Sequence, residues 1–129
     1  MNENDPFDWL IKADRDINLA KLAQSQMAEV TDLICYHCQQ AAEKYLKALV
    51  VRDRLPLRKT HDLEELLDIL SPVESAIDNE HYNHAIRLKI YAVGIRYPSR
   101  FGDPTGAEAL DALSSAVFFQ NFAKKILEV

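Results

Sequence analysis

Arg54 and His61 flank a short connecting stretch with six residues between them. An imidazole and a guanidinium beside one phosphate can cleave RNA without a metal. The imidazole moves protons, and the guanidinium offsets the charge that builds on the phosphorane. The same stretch is rich in cations: Arg52, Arg54, Arg58 and Lys59, against the single acid Asp53. A second run, residues 81–100, holds Arg87, Lys89, Arg96, Arg100 and two histidines with no acid. Segregated positive charge on a chain whose net charge is −5 suggests a phosphate-bearing partner more than a general nucleic-acid binder.

Two other groupings invite chemistry and fall short of it. Cys35-Tyr36-His37-Cys38 has the C-x-x-C spacing, and i, i+3 residues share a helix face. Structural zinc needs four ligands, however, and no second Cys pair or His-x₃₋₅-His follows. A redox site would need a strand before the motif and a helix start at it. Buried core cysteines are the expectation. Glu80-His81-x-x-His84 is not H-E-x-x-H and reads as a solvated helix face. Neither G-x-x-x-x-G-K-[ST] nor G-x-G-x-x-G occurs, so no P-loop or Rossmann site is expected. No metal and no cofactor are expected.

Helices must position these groups. The chain has 129 residues, the length of one domain spanning 1–129, with 48% hydrophobic residues and only 3 Gly. Apolar runs stop at four residues, as in 48–51, whereas a membrane span needs about 20. The acidic start MNENDPFDW is not a signal peptide, and two cysteines make no disulfide framework. A soluble cytoplasmic chain is expected.

Asp5-Pro6 starts a first helix with Leu10, Ala13, Ile17 and Ala20 inward. The pattern lapses between Gln24 and Asp32, where a turn is placed with Thr31 as N-cap, the alternative being one long helix through this stretch. A second helix runs from about Asp32 to Arg54, with Ile34, Cys38, Ala41, Tyr45 and Leu49 on one stripe. Leu55-Pro56-Leu57 ends it. Thr60 is expected to cap a short helix with Leu63, Leu66, Leu67 and Leu70 inward. Ser71-Pro72-Val73-Glu74 reads as a capping box opening further helix to about Val93, with a break near Asp78-Asn79 left open and Tyr82, Ile86, Ile90 and Val93 inward. Thr105-Gly106-Ala107-Glu108 opens the last helix, which buries Ala112, Ala116, Phe119, Ala123 and Ile126. The predicted fold is an all-α, up-and-down bundle of four to five helices. Counting passes, the connections 52–59 and 96–100 should meet at one end of that bundle and concentrate the basic charge there.

Four stretches together resemble one family: Trp9-x₃-Ala13-x₂-Asp16-x₃-Ala20; the run from Ile34 to Leu49 containing Cys38-Gln39-Gln40-Ala41-Ala42-Glu43-Lys44-Tyr45-Leu46-Lys47; Lys59-Thr60-His61-Asp62-Leu63; and Arg96-Tyr97-Pro98. Their order and spacing are similar to those of the prokaryotic HEPN domain. The resemblance implies a HEPN-like bundle that dimerises, often paired with a minimal nucleotidyltransferase in toxin–antitoxin systems. Some branches are endoribonucleases with an R-x₄₋₆-H motif shared between protomers, and others bind nucleotides or other polyanions. Here the late region where the ribonuclease branches carry that motif reads Arg96-Tyr97-Pro98-Ser99-Arg100, with no histidine following. Lys59, His61, Arg96 and Tyr97 match family signatures, as do His37, Gln40, Glu43 and Lys44.

The reading that follows is a homodimeric module that binds a nucleotide or RNA through Arg58, Lys59, Arg96, Tyr97 and Arg100. The alternatives are a metal-independent endoribonuclease toxin using Arg54 and His61 as its catalytic pair, and a non-catalytic helical dimerisation module.

Overall fold

A computed structural model describes residues 1–92 and 102–129. It contains five helices: α1 (Pro6–Gln26), α2 (Thr31–Arg52), α3 (Leu63–Leu70), α4 (Asn79–Lys89) and α5 (Gly106–Leu127). Among the described residues there is no strand.

The bundle is organised around α2, which packs against each of the other four helices. Cover on so many sides explains why Ile34, Cys38, Ala41 and Tyr45 are buried and so are Ala42, Leu46, Leu49 and Val50. The inward leucines of α3 (Leu63, Leu66, Leu67, Leu70) are all fully buried, as expected. Each such side chain removed from water contributes roughly 1.5–3 kcal/mol. Ala112, Ala116, Phe119 and Ala123 do the same for α5, with Ile126 partly buried against the core.

The helix starts are set by caps, not all of them where the sequence pattern placed them. Asp5 accepts from Phe7 N–H, and Thr105 with Glu108 forms the expected capping box. Thr31 is no N-cap: it is the first residue of α2, and its hydroxyl donates to the Pro104 carbonyl at 2.6 Å. The cap of α3 is Asp62, which accepts from Glu64 N–H and Glu65 N–H. Thr60 instead receives Asp62 N–H at 3.1 Å and donates to Glu65 at 2.8 Å. No helix opens at Ser71, which closes α3; Asp78 caps α4, and His81 completes the box.

The buried face of α4 also differs from the expectation. His81, Ala85 and Leu88 face inward, Tyr82 is half-buried, and Ile86 and Ile90 are exposed. Val93 lies outside the described residues. The physical cause is the partner surface: α5 presents Phe118 and Phe122, and the His81 ring meets both edge-on, at 4.8 and 4.5 Å. His84 stacks on Phe118 at 4.2 Å. The two histidines are therefore packing groups between helices, not a solvated face.

Residues 96–100 lie outside the described residues, but the described residues that flank them, Tyr91 and Pro104, do not sit at the end where Arg54 does. Residues 55–61 run back along α2, so that the His61 carbonyl accepts from Gln39 in mid-helix. This extended stretch is itself a pass down the bundle, and it reverses the parity of everything that follows. Tyr91 accordingly lies beside Cys35, and Pro104 beside Thr31, at the start of α2. Arg54 follows the other end, about 33 Å away for a helix of this length.

Candidate functional site

Helix α2 ends in a Schellman motif. Leu55 N–H donates to the Val50 carbonyl at 3.0 Å and Arg54 N–H to the Val51 carbonyl at 3.1 Å. Arg54 takes the left-handed position, with φ of 56°. Glycine is the usual occupant there, and a side chain costs roughly 1–2 kcal/mol. Beyond it, exposure alternates residue by residue. Leu55 and Leu57 turn toward the core, and Arg54, Pro56 and Arg58 turn outward. Two leucines thus anchor a short extended segment whose outer edge is basic. Arg58 sits 3.4 Å from Glu65 on the surface. Arg54 and Lys59 make no ion pair among the described residues.

His61 ends this segment over the middle of α2. Its Nδ1 lies 2.8 Å from Glu43 Oε1, while its side chain remains 67% exposed. Glu43 is buried, 5% exposed, and its other oxygen accepts from Lys47 one turn along at 3.1 Å. Gln39 donates to Glu43 at 3.4 Å and to the His61 carbonyl at 3.2 Å. Lys47 in turn stands 5.6 Å from the Trp9 ring centroid. A carboxylate against Nδ1 favours the proton there, which leaves Nε2 of this exposed ring uncommitted to Glu43. The imidazole is therefore oriented as a proton-transfer group would be.

Arg54 is not brought to His61 within one chain. His61 sits level with Glu43, and Arg54 lies eleven positions further along, roughly 16 Å at the helical rise. Arg58 and Lys59 lie between them on the same edge. Arg96, Tyr97 and Arg100 lie outside the described residues.

Of the remaining motif side chains of α2, Gln40 donates to Gln39 at 2.7 Å within the helix, and His37 and Lys44 make structural bonds to α1. His37 Nδ1 is 2.9 Å from Asp16 Oδ1, and Lys44 pairs with the other Asp16 oxygen. Burial pushes the Asp16 carboxyl up, but the hydrogen bonds from His37 and Lys44 outweigh it and hold it below its ordinary value. Tyr45 donates to Asp14, which Gln120 and Lys124 also reach. Burial pushes the Cys35 thiol up to about 11 and the Cys38 thiol up to about 12. Both are neutral near pH 7, unsuited to metal binding or nucleophilic attack. Among the described residues no three His, Cys, Asp or Glu side chains converge as metal ligands.

Sequence reasoning missed two polar groupings. Ser115 is fully buried, and its hydroxyl oxygen lies 2.8 Å from His84 Nδ1 and 3.1 Å from Arg87 Nη1. Asp53 and Glu74 come together at the end of α2. Neither pairing has a spacing signature, because each joins residues from separate elements.

An all-α bundle built on one central helix, with a basic extended edge and a carboxylate-held histidine, defines a class of small helical domain. The HEPN domain family matches this chain over residues 7–127, and the chain belongs to that family. Two crystal structures share its fold. One is ST0689, described as an archaeal HEPN homologue, at TM-score 0.75 and 24% identity over 97% of this chain and 98% of that one. The other is TT1696 from Thermus thermophilus, at TM-score 0.75 and 26% identity over the same shares. No curated protein matches the chain. Among the described residues no helix is long and apolar enough to cross a membrane.

Proposed function

We propose that this HEPN protein binds a nucleotide or RNA through the basic edge of residues 54–61, as a homodimer and as the partner of a minimal nucleotidyltransferase in a toxin–antitoxin-type pair. The observation that carries this reading is the pair Arg54 and Lys59: both exposed, both free of ion pairs among the described residues, on one extended segment held down by Leu55 and Leu57. Cations committed to no internal carboxylate are available to phosphates, and phosphate contacts supply most of such affinity. Arg58 joins that edge; Arg96, Tyr97 and Arg100 are proposed as binding residues on the family signature alone and not as part of this edge. Titrating labelled single-stranded RNA and nucleotides into the protein at low salt tests the reading. Arg54→Ala/Lys59→Ala should bind more weakly, with a slope of log K against log salt shallower by about 0.7 for each phosphate left without its cation. Equal affinity and equal slope would overturn it.

A second reading has its own observation, the Glu43–His61 bond that leaves Nε2 of an exposed ring uncommitted to Glu43. In it the protein is a metal-independent endoribonuclease, with Arg54 supplied to His61 by a second protomer. RNA incubated in EDTA with wild type and with Arg54→Ala/His61→Ala decides this. Cleavage by wild type alone supports it, and cleavage by both removes the assignment.

A further inference from the structure

At the end of α2 two carboxyl groups meet with one cation between them. Asp53, the residue that closes the helix, has a side chain only 3% exposed. Its Oδ1 accepts from Arg52 Nη1 at 2.9 Å, and its Oδ2 is buried without any partner. Glu74 reaches the same place from the connection between α3 and α4. It comes within hydrogen-bonding reach of Asp53, and its Oε2 lies 3.9 Å from the same Arg52 Nη1. A buried acceptor without a donor is costly, and two adjacent carboxylates do not both ionise readily. A proton on Glu74 would ease both difficulties, because it leaves one carboxylate in place of two and gives Glu74 an O–H to donate toward Asp53.

We propose that Asp53 and Glu74 hold one proton between them, and that this proton latches the α3–α4 connection onto the end of α2 and sets the net charge beside Arg54. The hydrogen bond to Asp53, burial and the Asp53 charge together push the Glu74 carboxyl up to about 7, while Arg52 pulls the other way. Among the described residues, Asp53 and Arg52 are the charged groups that shift it. Below that pH Glu74 is neutral, and the charges of Arg52 and Asp53 cancel. Above it the proton passes to water, the trio carries −1, and two carboxylates repel across the junction. Arg54, the next residue in the chain, begins the basic edge, so phosphate binding there weakens as pH rises. This regulatory half rests on the binding reading above; the latch does not.

Three measurements test it. In carboxyl-carbon NMR, Glu74 should titrate near 7 in wild type and at lower pH in Asp53→Asn; an ordinary carboxylate midpoint in wild type overturns the latch. A carboxyl raised above its unfolded value of 4.5 stabilises fully below that value and loses the effect as pH rises through about 7. The Tm of wild type should therefore drop between pH 5 and pH 8 relative to that of Glu74→Gln, and parallel profiles overturn the latch again. Finally, a short fluorescein-labelled single-stranded RNA at low salt should bind wild type about two- to five-fold more weakly at pH 8 than at pH 6, beyond the change in Glu74→Gln. Histidine contributions are common to both proteins and cancel. Equal pH dependence overturns the regulatory half. No binding at either pH overturns the binding reading and that half with it, while the NMR midpoint still decides the latch.

Discussion

Glu43 and Glu74 are the same side chain in opposite company. Glu43 sits in mid-α2 among donors, Lys47 on one oxygen and His61 with Gln39 on the other. Glu74, 15% exposed, faces the Asp53 carboxylate and shares its cation. Burial alone does not separate them, for Glu43 is the more deeply buried. The partners do: Glu43 meets donors on both oxygens, whereas the facing Asp53 carboxylate drives Glu74 to take up a proton.

The sharpest way to break this comparison is to remove Glu43. Glu43→Ala leaves the Lys47 ammonium buried without its carboxylate, which should cost about 3 kcal/mol or more in chemical denaturation. Replacing both partners, as Glu43→Leu/Lys47→Met, should recover most of that loss, because no charge is then stranded. A single substitution costing under about 1 kcal/mol would mean that water already screens the pair. The complementary change at the other site is smaller and of opposite sign. Asp53→Asn gives Glu74 an amide donor in place of a repelling carboxylate and should stabilise the fold at pH 8 by about 1 kcal/mol. The smallest effect belongs to the backbone between the two sites. Arg54→Gly relieves the left-handed position and should add about 0.5–1 kcal/mol to stability, while weakening RNA binding. Stability gained with RNA binding unchanged would remove Arg54 from the binding edge.

Much of the fold was legible because α2, α3 and α5 write their burial as repeating apolar positions. Ile34 through Leu49, the four leucines of α3, and Ala112 through Ala123 needed no more than helical spacing. The α4 face was not legible for the same reason. Ile86 in the helix and Ile90 just after it are exposed, and an alanine, a leucine and a histidine do the packing. Nothing in the chain near His81 announces that Phe118 and Phe122 await it across the interface. The direction of the later helices was lost at residues 55–61, whose extended run along α2 counts as a pass although it is not a helix. At the candidate site, His61 and its basic neighbours stand on one segment and so were visible together. Glu43 was visible only as one of several polar residues on α2. The Asp53–Glu74 meeting was hidden, because Glu74 read as half of a capping box that does not form.

The central place of α2 bears on the order in which the chain assembles. The α1–α2 hairpin closes through a connection of residues 27–30, so its contacts are local and entropically inexpensive. The bond from Thr31 to Pro104 spans 73 residues, so docking α5 closes a far longer loop at a higher entropic cost. Until then the face of α2 that meets α5 has nothing to lie against. Cooperative folding of this bundle is therefore a matter of the final helix arriving: the early hairpin is a template, and α5 is the closure that turns it into a core.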